Sequence, residues 1–376
     1  MNTTFYQSIE AELDELKAEC RFRQLRNPAS TADLINLSSN DYLGISLRKE
    51  WLREFIDSAT VDDLAMSAVS SRLLTGNHQA YIELENDLST FYNGRSALAF
   101  NSGYHANSGI LPAIAGKGDL ILSDKLNHAS IIDGMKLSGA EFKRYRHLDY
   151  TQLEDFLCVA DGKYRRIIVI SESVFSMDGD VADLKVLNDL SKRYGAILCI
   201  DEAHSVGVNG KRGAGCCEEA GLIADIDIII GTLGKAFASS GAFAIIRPEL
   251  KDYLINRVRP FIFTTGMPPI NAAWSRFVLQ KMPNLDVERQ HLRELGDQLR
   301  NGLRSKKLNT LGNSQIVPLI VGENHVANEL AEKISRNGFL ALPVRPPTVP
   351  PGTARIRFSL HSGLKTAEID KLLECL

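Results

Sequence analysis

The sequence predicts an α/β protein: a large domain with a mostly parallel sheet covered by helices, plus a smaller C-terminal α+β domain. From residue 97 onward, short β-branched runs alternate with helical patterns. Those runs are apolar on both faces, as strands buried from two sides must be. After Arg247 the alternation gives way to successive helices and then a mixed pattern. With 376 residues the chain exceeds one small core. Three segments are expected: 1–45, an N-terminal helix and short strand; 46–282, the large domain; and 283–376, the small one.

Taken in order, Ile9, Leu13, Leu16 and Cys20 fall at helical spacing within Gln7 to Arg26, an amphipathic helix whose end carries Arg21, Arg23 and Arg26. Basic residues there suit a helix C-terminus. Ile35 to Leu37 reads as a short strand before the turn-forming SSNDYLG, residues 38–44. Met66 to His78 is small and polar, an irregular crossover, and Gln79 to Tyr92 is a helix. Strands then begin at Ala97, Leu120, Phe142, Ile167, Ala196 and Ile226, with a further short apolar run after the last. Helices Tyr104 to Ala115, Ala129 to Ser138, Thr151 to Leu157 and Ala182 to Tyr194 separate the first five strands. Helices Glu249 to Val258, Pro269 to Met282 and Leu285 to Leu303 follow. Strand Ile316 to Val321, helix Val326 to Asn337, strands Phe339 to Leu342 and Ala354 to Leu360, and helix Thr366 to Cys375 close the chain.

A net charge of −3 with 24% charged residues disfavours nucleic acid or an anionic membrane as principal partner. No run of 18 apolar residues exists, which argues against a membrane-spanning helix. The N-terminus is acidic and helical, unlike a secretory leader. The six cysteines form no CxxC pair. A reduced cytoplasmic protein without a structural metal is expected.

In open α/β sheets ligands bind beyond the carboxyl ends of the strands, and three strand ends carry complementary chemistry. Asn101-Ser102-Gly103-Tyr104 opens a helix, where backbone N–H groups favour a phosphate and Gly103 permits its close approach. Ser-Gly before a helix is also an ordinary cap. Asp201 closes the strand AILCI, where a buried carboxylate needs a cation such as a protonated pyridine nitrogen, with His204 near a ring substituent. Most strand-end aspartates simply cap a turn. Thr232-Leu233-Gly234-Lys235 offers a hydroxyl for phosphate three positions before an amine. A lysine between glycine and small residues is placed to act as a Schiff-base nucleophile, although lone strand-end lysines commonly reach solvent. Together the three strand ends describe a site for pyridoxal 5′-phosphate (PLP): phosphate cradle, counterion of the ring nitrogen and aldehyde-binding lysine.

The ordered motifs SNDYLG, NSGYHAN, SDKLNHASIIDG, SESVFSMDGD, IDEAHSVGVNG, TLGKAF and RPFIFTTGMPP resemble the α-oxoamine synthases from about Gln7 to the C-terminus. These are fold-type I PLP enzymes that condense an amino acid with an acyl thioester and lose CO₂. The resemblance implies a mostly parallel seven-stranded sheet, with Lys235 as Schiff-base lysine and proton-transfer base. It implies Asp201 on the pyridinium nitrogen, His204 on the ring oxygen and His128 stacked on the ring. It places Gly103, Tyr104 and Thr232 on the phosphate, Ser176 close to the cofactor and Asn40 near substrate. Arg357 would bind the amino-acid carboxylate, and Thr348 and Arg23 the acyl donor. Thr264 would reach the phosphate of a partner subunit in a homodimer. Within the family, RPPTVPPGTARIR (345–357) most resembles the biotin-pathway member, implying L-alanine and a pimeloyl thioester of CoA or acyl carrier protein. Glycine-using and autoinducer-forming members are the nearest alternatives.

Two stretches depart from the family pattern. Ser67-Ala68-Val69-Ser70-Ser71-Arg72 stands where a glycine-rich GSGGSR-type loop is usual, and Ala238-Ser239 where two glycines are usual. Glycine loss restricts the backbone. A different class is suggested by ILCIDEAH, which resembles a DEAH-type NTPase strand. The nearest phosphate-loop candidate, Ile229 to Ala236, lacks the first glycine and the hydroxyl after the lysine, and follows the DEAH segment rather than preceding it.

Overall fold

A computed structural model of the chain describes residues 3–376. The chain divides into two compact units. The larger comprises Asp41–Ser176 and Val181–Gln290; the smaller comprises the residues up to Asn40, Met177–Asp180 and His291–Leu376.

The larger unit is built on a seven-stranded sheet. In spatial order its strands are Ser96–Phe100, Ala242–Ile246, Ile228–Thr232, Ile197–Asp201, Ile167–Glu172, Leu120–Asp124 and Glu141–Tyr145. Ala242–Ile246 runs antiparallel to both neighbours, and the other ladders are parallel. The β-branched runs of the sequence lie at the centre, with Ile168, Ile170, Ile228 and Ile230 all in the buried core. Each such side chain contributes about 1.5–3 kcal/mol. The in-register ladder sets Glu172 beside Asp201, and Asp201 beside Ile230. The carboxyl ends of three neighbouring strands therefore carry Glu172, Asp201 and Thr232 at one edge.

Caps define where the helices begin. Ser102 accepts from His105 N at 3.1 Å to open Gly103–Ile114, and Asp183 accepts from Lys185 N and Val186 N to open Leu184–Arg193. Helix Lys49–Ser58, absent from the sequence reading, carries Trp51, Leu52, Phe55 and Ile56 at helical spacing, with Phe55 its one buried residue.

In the smaller unit, Pro343–Val344 and Ile316–Gly322 flank Ala354–Ser359 in an antiparallel sheet. The run expected as one strand from Phe339 to Leu342 is split, because Phe339–Leu340 instead pairs in parallel with Ile35–Asn36. Together with Ser359 N donating to Leu37 O at 2.8 Å, this pairing ties the N-terminal segment to the C-terminal one. The first helix, Thr3–Ala18, is shorter than its apolar spacing suggests. Cys20 takes a left-handed φ of 55°, and Arg21 N and Phe22 N both turn back to Leu16 O. Arg21, Arg23 and Arg26 thus lie in an irregular segment beyond the helix, and Lys17 is the basic residue of its last turn.

Candidate active site

A cavity of about 170 Å³ opens at the strand ends of the larger unit, lined by Asp201, His204, Thr232 and Lys235 among others. Lys235 sits in a tight turn after strand Ile228–Thr232, closed by Ala238 N to Lys235 O at 2.8 Å and Leu233 N to Gly241 O at 2.9 Å. Its Nζ lies 2.7 Å from His204 Nε2. His204 is buried, and its Nδ1 lies 2.6 Å from Tyr42 Oη.

Asp201 is 4% exposed. Its Oδ2 accepts from Asn107 Nδ2 at 2.7 Å and its Oδ1 from Ala203 N at 2.8 Å. Asn107 also donates to Ser130 Oγ, which is 2.8 Å from His128 Nδ1. Burial lowers the His128 pKa, with Asp201 opposing and Lys235 reinforcing the shift, so the ring favours its neutral form. Glu172, fully enclosed next to Asp201, is pushed up to about 8, first by burial and then by the Asp201 carboxylate.

Helix Gly103–Ile114 begins at this cavity, and Gly103 and Tyr104 line it. Thr232 Oγ1 donates to Gly241 O at 3.1 Å and accepts from Gly234 N at 3.2 Å. A helix N-terminus and a hydroxyl thus lie at the wall of a cavity that also holds Asp201 and Lys235. The donor set fits PLP: anion-binding amides, an anionic partner for a ring nitrogen, and an amine. Two buried polar atoms at this wall, Asn107 Oδ1 and Glu172 Oε1, have no hydrogen-bond partner among the described residues. Such atoms are costly unless something bound supplies one.

Seven expected residues therefore share one cavity: Gly103, Tyr104, His128, Asp201, His204, Thr232 and Lys235. Ser176 is buried outside its lining, and half-buried Thr264 also lies outside it. In the smaller unit Arg357, 8% exposed, directs Nη1 and Nη2 to Asn40 Oδ1, both at 3.2 Å. Arg23 Nη2 donates to Thr348 Oγ1 at 2.9 Å, and both line a cavity of about 160 Å³ with Arg21 and Arg345.

Sequence reasoning missed Tyr42, Asn107, Ser130 and Glu172. Asn107 stands four residues after Gly103, hence on the same helix face, and Glu172 ends its strand as Asp201 does. Those two signals were readable. The altered stretches keep left-handed backbone without glycine, with φ of 53° at Val69 and 46° at Ala238. No helix follows Lys235 before the next strand, which removes the phosphate-loop architecture that the NTPase reading requires.

The chain matches the model of the family "Aminotransferase class I and II" over residues 32–376 and belongs to that family. It is 48% identical to the 8-amino-7-oxononanoate synthase of Chlorobaculum parvum, covering 97% of this chain and 96% of that protein. Identity to the 8-amino-7-oxononanoate synthase of Haemophilus ducreyi is 46%, over 93% and 92% of the two. Among solved structures, that of 8-amino-7-oxononanoate synthase from Francisella tularensis is similar with TM-score 0.75 and 30% identity, covering 92% of this chain and 97% of that one. Serine palmitoyltransferase from S. paucimobilis with a bound PLP–myriocin aldimine is similar with TM-score 0.88 and 27% identity, covering 100% and 97%.

Proposed function

We propose that the chain is a PLP-dependent C-acyltransferase. It condenses L-alanine with a pimeloyl thioester to give 8-amino-7-oxononanoate, CO₂ and free thiol, a step of biotin biosynthesis. The observation that carries the reading is Asp201 and Lys235 on one cavity, in a chain 48% identical over 97% of its length to an 8-amino-7-oxononanoate synthase. Serine palmitoyltransferases share the fold, but at 27% identity in the example above they support the reaction class rather than the substrate.

When bound, PLP supplies the electron sink for the bonds made and broken at the amino acid's Cα. The chain supplies the rest. Asp201 holds a proton on the ring nitrogen by its negative charge, and Asn107 and Ala203 N keep the carboxylate aimed. Lys235 Nζ anchors the cofactor and moves the proton at Cα. His204 would bond the ring oxygen, and neutral His128 would cover the ring face. Gly103 and Tyr104 amides and Thr232 hold phosphate, with Ser176 close by. Arg357, which also donates to Asn40 Oδ1, grips the carboxylate of alanine that departs as CO₂. Arg23 and Thr348 receive the acyl donor, on CoA or carrier protein. The reading also makes the enzyme a cytoplasmic homodimer in which Thr264 reaches the partner's phosphate site. The motif order supports this, and no described helix is long and apolar enough to cross a membrane.

The test is spectroscopic and catalytic. Purified protein should absorb at about 400–430 nm, as lysine-bound PLP does, and Lys235→Ala should lose the band. Thiol release should require L-alanine with pimeloyl thioester. Preference for glycine with acetyl-CoA would refute the substrate assignment, and a colourless protein that binds no PLP would refute the class.

A further inference from the structure

We propose that Ser130 is a positioning residue that locks the His128 imidazole as its neutral tautomer, with the hydrogen on Nε2, and ties that ring through Asn107 to Asp201. What the ring covers rests on the PLP reading above, whereas the lock itself does not. Ser130 is the second residue of helix Ala129–Ser138, which His128 caps with its own side chain. Ser, Thr, Asp and Asn are the usual caps, and Ser102 and Asp183 serve so in this chain. His78 caps helix Gln79–Phe91 through Ala80 N, where position 80 offers no hydroxyl, so a histidine cap does not need one. The Ser130 hydroxyl is an addition. Three bonds hold the turn before it. Asn127 Nδ2 donates to Ser123 Oγ at 2.8 Å and to Ile170 O at 2.9 Å, and Glu172 N donates to Asn127 Oδ1 at 3.0 Å. Gly134, one helical turn beyond Ser130 on the same face, lets helix Gly103–Ile114 approach, since a Cβ there would stand 2.6 Å from Asn107 O.

Donor identity sets the direction of every link. A backbone amide can only donate, and Ser130 N lies 3.2 Å from His128 Nδ1, so that nitrogen carries no hydrogen. The imidazole is therefore neutral, and its one hydrogen sits on Nε2. Ser130 Oγ, 2.8 Å from the same bare nitrogen, gives its hydrogen there and keeps only lone pairs. Asn107 Nδ2 fills one of them at 3.1 Å and sends its second hydrogen to Asp201 Oδ2 at 2.7 Å. Ser130 is 0% and Asn107 2% exposed, so bulk water does not compete for these bonds. An imidazolium would set an Nδ1–H against the Ser130 N–H. Burial favours the neutral ring in the same sense, Lys235 adds to it, and Asp201 and Asp133 oppose it. Glu172, His204 and Tyr104 are the other titratable groups on the cavity wall. A neutral ring leaves the Asp201 charge to a cationic partner in the cavity rather than to His128.

Ring-¹⁵N-histidine NMR tests the lock, with His128 assigned by the signal lost in His128→Gln. Cofactor-free wild type at neutral pH should show the Nε2–H tautomer, and the PLP-loaded protein the same one. An Nδ1–H tautomer or an imidazolium overturns the proposal. In Ser130→Ala the backbone N–H remains but the hydroxyl is gone. The tautomer should persist while the titration midpoint of His128 rises by about 0.5–1 in pH, the scale of one hydrogen bond. Ser130→Thr should keep the wild-type midpoint. An unmoved midpoint in Ser130→Ala, or a midpoint in Ser130→Thr that matches the alanine variant, assigns Ser130 to helix structure alone and overturns the lock. The tie to Asp201 is read from PLP binding. Ser130→Ala should raise the PLP dissociation constant about fivefold and Asn107→Ala about tenfold, and the double variant little more than the latter, because both break one chain of bonds. Full additivity overturns the tie. A protein that binds no PLP fails the functional reading, whereas the His128 tautomer is measured without cofactor and fails this proposal alone. If Asn107→Ala does not fold, the wild-type, Ser130→Ala and Ser130→Thr spectra still decide.

Discussion

Asp201 and Arg357 are both charged, both on strands and both less than a tenth exposed. They are held differently. Each Asp201 oxygen has its own donor, Asn107 or Ala203 N, at under 3 Å, on a strand paired on both sides. Arg357 directs two nitrogens to one oxygen of Asn40, at a longer 3.2 Å. A carboxylate clamped from two directions suits a cofactor that stays, because its aim must not change between turnovers. A guanidinium can pair with both oxygens of a carboxylate, the role proposed for Arg357 toward a substrate that arrives and leaves.

The sharpest way to break the contrast is Asp201→Asn. The amide preserves volume but removes the charge proposed to keep a proton on the ring nitrogen. Activity should fall about 10³-fold, the scale of losing an aimed electrostatic partner. A loss below tenfold would mean that the clamp serves structure rather than chemistry. Next in size is Arg357→Lys. An ammonium cannot present the planar fork, so KM for L-alanine should rise about 10–100-fold, the scale of a charge-assisted hydrogen bond. KM for the acyl donor should stay constant. If both constants move together, Arg357 acts on the whole site rather than on one carboxylate.

The same contrast decided what the sequence could tell. The larger unit was legible because its signals are local and repeated. β-branched runs gave the strands, and Asp201, Thr232 and Lys235 stand where such runs end. Tyr42 was not legible, since its partner His204 is 162 residues away and SNDYLG reads as a turn in either case. The smaller unit gave less. Nothing local announces that Ile35–Asn36 pairs with Phe339–Leu340, or that Met177–Asp180 groups with the C-terminal residues, where Asp178 pairs with Arg355. The N-terminal helix was overextended because apolar spacing continued to Cys20, while the backbone had already turned left-handed there. Arg23 and Thr348 were assigned by motif resemblance alone, from segments without regular structure.

Glu172 sharpens the picture of the buried pocket through its proton. Its pKa stands at about 8 in the folded protein against an ordinary 4.5. Between those values the folded state keeps a proton that the unfolded chain has released, so this group makes stability fall as pH rises. Glu202, raised to about 7 mainly by burial, adds a similar slope over a narrower range. Glu172→Gln should flatten the decline of cofactor-free stability between pH 5 and 8 by up to about 1.4 kcal/mol per pH unit, one proton's worth. Denaturant unfolding at several pH values measures it. An unchanged slope would mean that Glu172 is ionised in the folded pocket.

The smallest effect is expected where the structure is least enclosed. Arg23 is exposed, and its bond to Thr348 joins two segments with neither on a helix or strand. Exposed charged contacts contribute roughly 0.2–1 kcal/mol, so Arg23→Ala should raise KM for the pimeloyl thioester only about two- to fivefold. KM for L-alanine and the bound-PLP absorbance should not change. Thr348→Ala should give the same shift, and the double variant should add little to either, because removing one partner already removes the contact they share. Full additivity would mean that the two side chains meet the acyl donor independently. Arg345 lines the same cavity, and its pKa is lowered mainly by burial, with the charges of Arg23 and Arg26 adding to it. Like charges gathered on one wall attract an anion, so the KM penalty in Arg23→Ala should shrink as salt rises. A salt-independent penalty would assign Arg23 to shape rather than charge.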